Sequence, residues 1–559
     1  MDLPPTFQRD AYAYGERASG ETHGVVMTKP HIVDLILDLA GYTAARPLTQ
    51  LRLLEPSAGS GAFLVPAVHR LLEASRRDSV RPSELAEAIT AYDIESAHVE
   101  AARSSVHEVL LAHDVSSKTA TRLVERWIRE GDFLLAPEKP FDVIVGNPPY
   151  VRIEQLAPSL QAEYRRRYPS LFDRADLYVA FIERGLDLLK PTGILSFICA
   201  DRWILNRYGT PLRRKLAENF RVRAYIDLHQ ASPFESEVIA YPSIFSISPG
   251  RSEKVVVASM SRGTKEECQL IQRHISRHQT FSQSGVSLST YDSWFQGEEP
   301  WVLSTPTHLE ALRSLETRFH PIEAGGKAKV RIGVATGSDK VFIVPQDTDV
   351  EADRLVPLVK REDLDSGKIH NAHRCVINTF TTDGRLIDLK HYPRLSRYFH
   401  THEAALRERH VARKKPEGWY RTIDRVYPDI VPVPKLLIPD ISGSNEVIFD
   451  PGHYHPHHNL YFVTSTAWDM EVLGGLLSSK VALFFIWSYA VKMRGGYLRF
   501  QAQYLRRIRL PSPKELPPKL SATIRNAFRL RDFAQLDELA LAAYKLKELP
   551  DFDFVDTRR

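Results

Sequence analysis

The stretch Phe141-Asp-Val-Ile-Val-Gly-Asn147-Pro148-Pro149-Tyr150 carries the most specific chemical signal in the chain. Two consecutive prolines fix the backbone and remove two amide donors, which leaves the nearby carbonyls free to accept hydrogen bonds. Asn147 adds a side-chain carbonyl. An aromatic amino or amide nitrogen is a poor nucleophile because its lone pair is delocalised. Hydrogen bonds from its hydrogens to Asn147 Oδ1 and to the Pro148 carbonyl favour a pyramidal, more reactive nitrogen. Such a nitrogen can attack a sulfonium methyl in line, chiefly through positioning and electrostatics. Tyr150 offers a ring face on which an extruded base can stack. A plain Pro-Pro turn accounts for Pro148 and Pro149, but not for both flanking residues together.

A second constellation lies upstream. Glu55-Pro56-Ser57-Ala58-Gly59-Ser60-Gly61 follows an apolar run and opens a helical pattern. The glycines let backbone pass close to a ligand at a helix N-terminus. A dinucleotide loop carries a third glycine where this chain has Leu64, so that reading is weakened. Asp93 ends the next apolar run, where an acid can accept from ribose hydroxyls. Asp132-Phe133 pairs a carboxylate with an aromatic, which suits the amino group and face of an adenine ring.

The elements that must hold these residues alternate. Leu51–Leu54, Ile89–Tyr92, Phe141–Val145 and Gly193–Cys199 read as buried strands, and Ala62–Glu73, Glu95–Leu111 and Asp176–Leu189 read as helices. Near-continuous apolar strands alternating with helices predict a doubly wound, mostly parallel α/β sheet. After about Pro249 the segments shorten, and Pro and Gly recur irregularly. The expected division is a catalytic domain over 1–249, a connecting region over 250–300, an α+β domain over 301–515 and a helical extension over 516–559.

The 559 residues are 43% hydrophobic and 26% charged, ordinary for a globular protein, with a net charge of only +5. The charge is clustered, at Arg165–Arg167, along Arg407 to Arg425, and from Lys492 to Arg509. Solvated helix faces explain any one such cluster; together they suit a phosphate-facing cleft. No apolar run is long enough to cross a bilayer, since Val472–Val491 is broken by Gly474, Gly475 and Lys480. No signal peptide is evident, and the three cysteines are widely spaced. A cytoplasmic setting without membrane contact is expected. His453-Tyr-His-Pro-His-His458 reads as a polar loop rather than a metal site, because Pro456 interrupts it and no cysteine is near.

On these motifs the chain resembles, over nearly its whole length, the gamma-ordered N6-adenine DNA methyltransferases of restriction–modification systems. The resemblance implies a Rossmann-like domain that binds S-adenosylmethionine, followed by a target-recognition domain. It implies methylation of a flipped-out adenine in duplex DNA by a monomer, partnered by a separate restriction endonuclease or other defence proteins. In family terms, Thr28 of Gly24-Val-Val-Met-Thr28, Glu55, Pro56, Gly59, Gly61, Asp93, Asp132 and Phe133 are the cofactor-binding residues. Asn147, Pro148, Pro149 and Tyr150 are the catalytic loop. The second aromatic against the flipped base is Phe234, with Tyr241 the weaker alternative. Ile332-Gly-Val-Ala-Thr336-Gly-Ser-Asp-Lys340 and Met493-Arg494-Gly-Gly-Tyr-Leu-Arg499-Phe500 resemble recognition-domain motifs, which implies DNA contacts at Thr336, Lys340, Arg494 and Arg499.

The Asn-Pro-Pro-Tyr loop also suits enzymes that methylate protein glutamine or RNA. A large second domain rich in arginine and aromatics favours DNA. A non-catalytic DNA-binding subunit with a decayed fold is opposed by the intact loops, and a fused nuclease by the absence of a carboxylate–lysine constellation.

Overall fold

The structure, a computed structural model, describes residues 26–236, 241–251, 254–277, 280–292, 294–295, 297–326, 328–370, 372–442, 445–490 and 498–552. It divides into two compact units, Met1–Pro306 and Thr307–Arg559.

The first unit is built on one ten-stranded sheet. Its strands are β1 (Leu53–Glu55), β2 (Ile89–Asp93), β3 (Ile128–Glu130), β4 (Phe141–Gly146), β5 (Leu189–Ala200), β6 (Phe220–Asp227), β7 (Pro242–Pro249), β8 (Val255–Met260), β9 (Phe281–Gln283) and β10 (Val286–Tyr291). They lie in the order β3-β2-β1-β4-β5-β7-β6-β8-β10-β9. The strands from β3 to β5 are parallel, with Leu53 between Ile89 and Val143. β7 runs antiparallel to both its neighbours. Helices cover the sheet, so β1 is buried throughout and β2 and β4 nearly so; this is why they read as unbroken apolar runs. Helices Leu64–Arg77 and Ser96–Ala112 present Val68, Leu71, Val99 and Val106 to the same core.

After β1 the chain moves outward through β2 and β3, then returns to β4 on the other side of β1. That reversal opens a crevice beyond the C-terminal ends of β1 and β4, the usual ligand position in such sheets. The Glu55–Gly61 loop leaves β1 there, and Asn147 follows directly on β4.

Residues 250–300 correct the expected connecting region. They supply β8, β9, β10 and the helix Lys265–Ile275, and Val256, Ala258, Cys268, Ile271 and Leu288 join the core of the first unit. The helix begins on a capping box in which Thr264 and Glu267 satisfy each other's backbone N–H groups.

The second unit contains two four-stranded sheets among its described residues. One, all antiparallel, joins Ala328–Ile332, Leu460–Ser465, Lys435–Pro439 and Ile448–Asp450. The other joins Ile343–Pro345, Arg374–Ile377, Leu355–Val359 and His455–Pro456, the last pair parallel. The short stretch from His455 to Ser465 therefore serves both sheets. His455 and His457 are buried, so the expected polar loop is a core crossing instead. The apolar helices Met470–Leu477 and Lys480–Tyr489 are buried in this unit and pack against Pro518–Leu530 and Phe533–Tyr544. The expected C-terminal extension is thus part of the unit's core. Among the described residues no single helix is long and apolar enough to cross a membrane.

Candidate active site

The crevice beyond β1 and β4 is lined by Thr28, Glu55, Gly59, Asp93, Asp132, Phe133, Asn147 and Pro149. Residues expected to bind a cofactor and residues expected to do chemistry share one cavity.

Gly59 adopts φ +52°, with open space where a side chain would project, and donates its N–H to Asp93 Oδ2 at 2.8 Å. Gly61 adopts φ +97°, and a Cβ there would stand 3.4 Å from Ala102 Cα, so its lack of a side chain lets helix Ser96–Ala112 approach. Asp93 Oδ1 accepts from Glu95 N at 3.0 Å, and His98 Nδ1 lies 3.3 Å away. The acid expected only to meet a ribose therefore also ties the glycine loop to the end of β2.

Glu55 is 1% exposed, and its Oε2 has no hydrogen-bond partner. Burial, with a smaller push from the Asp93 charge, holds its carboxyl well above the usual carboxylate range. Burial likewise raises Asp132, offset in part by the Tyr164 hydroxyl (2.6 Å to Oδ2) and Leu134 N (2.8 Å to Oδ1). The Phe133 ring sits 5.3 Å from that of Phe181, with the Arg184 guanidinium 5.1 Å from its centre.

Asn147 is held by its amide nitrogen. Nδ2 donates to the Val26 carbonyl at 3.0 Å and lies 3.4 Å from Thr28 Oγ1. A carbonyl can only accept, so this contact fixes which way the amide points. Asn147 Oδ1 is left buried with no partner. The backbone carbonyl of Asn147 is engaged by Ser57 Oγ at 3.1 Å, which joins the two loops.

Thr28 pairs with Phe234 in an isolated antiparallel bridge, flanked by Lys29 N to Pro233 O at 3.0 Å and Glu235 N to Met27 O at 2.9 Å. This brings Phe234 to Tyr150, ring centroids 6.4 Å apart and edge to face. Tyr178 lies 6.2 Å from Tyr150 on centroids. The Tyr150 hydroxyl is buried without a partner; burial, with Cys199 and Asp201 behind it, pushes its pKa well up. Tyr241 packs instead on His229 (5.2 Å) and under Arg202 (5.0 Å).

Sequence reasoning missed Val26, Ser57, Tyr164 and Phe181. Phe181 and Tyr164 occupy apolar positions of helices and carry the same signal as core residues. Ser57 could have been found as the hydroxyl inside the glycine loop.

The residues expected at DNA lie in the second unit and fare differently. Thr336 is fully buried; its hydroxyl donates to Asp339 Oδ1 at 2.6 Å and accepts from Ser338 N at 3.2 Å. In this arrangement its hydroxyl shapes the turn. Lys340 is exposed. Arg499 is ion-paired to Asp440. Arg494 lies outside the described residues. Asp339, His457 and His458 bring potential ligand atoms within 4.8 Å of one another. Asp339 Oδ2 already accepts from His457 Nε2 at 2.9 Å, with Lys360 Nζ 3.6 Å away, so a hydrogen-bonded network accounts for the cluster.

Residues 87–234 match the Eco57I restriction-modification methylase family. The whole chain is similar to the Type II methyltransferase M.BstVI of Geobacillus stearothermophilus, 44% identical over 94% of this chain and 96% of that one. It is similarly close to M.PaeR7I of Pseudomonas aeruginosa, 43% identical over 94% of this chain and 92% of that one. Among solved structures, the Type IIL restriction-modification enzyme MmeI in complex with DNA shares the fold, with a TM-score of 0.59 and 14% identity over 94% of this chain and 74% of that one. The glycine loop, with its open Gly59 and the unpaired Glu55, fits the S-adenosylmethionine on which such enzymes depend. The chain belongs to the Type II DNA methyltransferases of restriction–modification systems.

Proposed function

We propose that this enzyme methylates the exocyclic N6 of an adenine swung out of duplex DNA, with Asn147-Pro148-Pro149-Tyr150 as the reactive loop. One observation carries the reading: Asn147 Oδ1 is buried and unpartnered while its amide nitrogen is anchored to Val26 and Thr28. A buried acceptor without a donor costs about 1–3 kcal/mol, so it is kept for a donor that arrives with the substrate.

S-adenosylmethionine, bound in the crevice, supplies a sulfonium methyl. Glu55 would hold its amino group, Asp93 its ribose, and Asp132 beside Phe133 and Phe181 its adenine. Asn147 Oδ1 and the Pro148 carbonyl accept from the two hydrogens of the target amino group, and draw its lone pair out of conjugation toward the methyl. Tyr150 stacks on the target base. Phe234, now edge-on to Tyr150, borders the same space and must turn if a base is to enter between the rings.

The test incubates duplex DNA with methyl-labelled cofactor and identifies the labelled nucleoside. N6-methyladenine is expected. Label on cytosine, on RNA or on protein glutamine would overturn the assignment. Asn147→Ala should lose transfer while still binding cofactor, and full activity in that variant would refute its role.

A further inference from the structure

The second unit carries a cationic cleft that the reactive machinery does not use. Its walls include Arg409, His410, Lys414, Lys415 and Arg421, and its one large apolar wall residue outside the short helix His410–Lys414 is Ile423. Among the described residues, Lys414, Lys415 and the neighbouring Arg413 have no carboxylate partner and are exposed. Elsewhere in this unit surface arginines are commonly neutralised, as in Arg407 with Glu403, Arg499 with Asp440 and Arg529 with Glu471. The cleft therefore carries uncompensated positive charge at adjacent positions, Lys414 and Lys415 on its wall and Arg413 beside them.

The cleft is also pre-formed. Arg409 does not face outward. Its guanidinium donates to the carbonyls of Leu406, Thr336, Trp419 and Arg421 at 2.7–3.2 Å, and so ties three chain segments together beneath the lysines. Burial lowers its pKa to about 10, still well above neutrality, so the latch stays charged. Gly337, at φ +78°, lets the turn pass against Ile423, since a Cβ there would stand 2.8 Å from Ile423 Cγ1. Ile423 remains 52% exposed, an apolar surface in the middle of positive charge. Arg421 Nε is a buried donor with no acceptor.

Fixed cations around an apolar floor match the chemistry of a nucleic-acid strand, whose phosphates are anionic and whose sugars are apolar on one face. We infer that this cleft grips the sugar–phosphate backbone of the DNA substrate, with Lys414, Lys415 and Arg421 on phosphates and Ile423 against deoxyribose. The inference rests on the DNA reading above. Contacts of this kind hold the duplex in register and carry no sequence information of their own.

The test measures binding of the full-length enzyme to a labelled duplex across a salt series, by fluorescence anisotropy, for wild type, Lys414→Gln/Lys415→Gln and Lys414→Arg/Lys415→Arg. Each phosphate contact contributes about 0.9 to the slope of log K against log salt. The glutamine pair should lower that slope by about 2 and weaken binding by about tenfold or more near physiological salt, equally for target and unrelated duplexes. The arginine pair should keep the wild-type slope. A glutamine variant with an unchanged melting temperature but also an unchanged slope and affinity would overturn the inference while leaving DNA as substrate. Wild-type enzyme that binds no duplex at all would overturn both.

Discussion

The crevice of the first unit and the cationic cleft of the second leave opposite kinds of atom unsatisfied. Around the crevice of the first, the buried atoms without partners include the acceptors Glu55 Oε2 and Asn147 Oδ1. At the cleft of the second, the buried atom without a partner is a donor, Arg421 Nε, among exposed cations. Folding normally pairs such groups, because an unpaired buried polar atom is costly. Where it does not, the sign of the deficit points to the missing molecule. A pocket short of donors suits an ammonium and an amino group, and a cleft short of acceptors suits phosphates.

The largest effect should come from inverting the deficit in the first unit. Asn147→Asp keeps an oxygen facing the cavity but sets its second oxygen against the Val26 carbonyl, acceptor against acceptor. The loop must shift or the acid must take up a proton. We expect methyl transfer to fall on the order of 10²–10³-fold, the range seen when one pre-organised polar contact is lost from a reactive site. Single-turnover transfer at saturating cofactor checks this. Near wild-type rates would mean that the Val26 anchor is dispensable and that an acceptor at this position is enough.

In the second unit, the corresponding perturbation removes satisfaction already present. Lys435 and Asp450 form a fully buried pair at 2.9 Å between adjacent strands, and Asp450 also accepts from the backbone of Gly452, His453 and Tyr454. Burial lowers the Lys435 pKa, with Asp450 acting against it. Asp450→Ala leaves the ammonium with the Val431 carbonyl but no counter-charge, strands three N–H groups, and should cost about 3–5 kcal/mol. Replacing both residues with apolar ones should cost clearly less. Urea unfolding of the two variants decides it, and equal losses would show that the backbone contacts rather than the ion pair dominate.

Which parts of this contrast the sequence made legible follows from how each residue is held. Leu53, Ile89 and Val143 are covered on both faces, so their strands read as apolar runs. Glu55, Asp93 and Asn147 break those runs at their C-terminal ends, the one place where a polar residue in such a sheet meets ligand. The second unit offers no such rule. Thr336 and His457 are polar by type yet buried, and each hydrogen-bonds Asp339, a partner invisible to local patterning. Val255–Met260 and Val286–Tyr291 sit among serines and glycines, and read as linker until paired with each other and with β6.

Glu55 tests the first unit more gently. Its carboxyl is raised by burial, so the folded state holds its proton more tightly than the unfolded chain does. That contribution to stability is complete below the ordinary carboxylate pKa and is lost as pH rises through the raised value. Glu55→Gln removes the titration. The cofactor-free variant should melt higher than wild type above neutrality, yet bind S-adenosylmethionine about tenfold to a hundredfold more weakly, the worth of a hydrogen bond to a charged group. Calorimetry on both proteins reads both quantities. A variant that is neither more stable nor weaker in binding would remove Glu55 from the acceptor set.

The smallest effect concerns His455, where the second unit has no deficit to expose. Its Nδ1 donates to the Pro456 carbonyl at 3.0 Å and its Nε2 accepts from Tyr427 N at 3.4 Å, so the neutral ring satisfies both neighbours. Protonation would turn the second contact into donor against donor inside the core. Burial, with Lys435 nearby and Asp429 acting in the other direction, lowers its pKa to about 4. The unfolded chain takes up this proton near pH 6.5. Between those two values the unfolded state binds more protons, so stability falls as pH is lowered through that window. His455→Gln can donate and accept in the same way without ever charging. Its stability should decline less steeply than that of wild type between about pH 6.5 and pH 4. Parallel slopes in urea titrations of the two proteins would place the acid sensitivity of this unit elsewhere, with the lowered pKa of His457 the next group to examine.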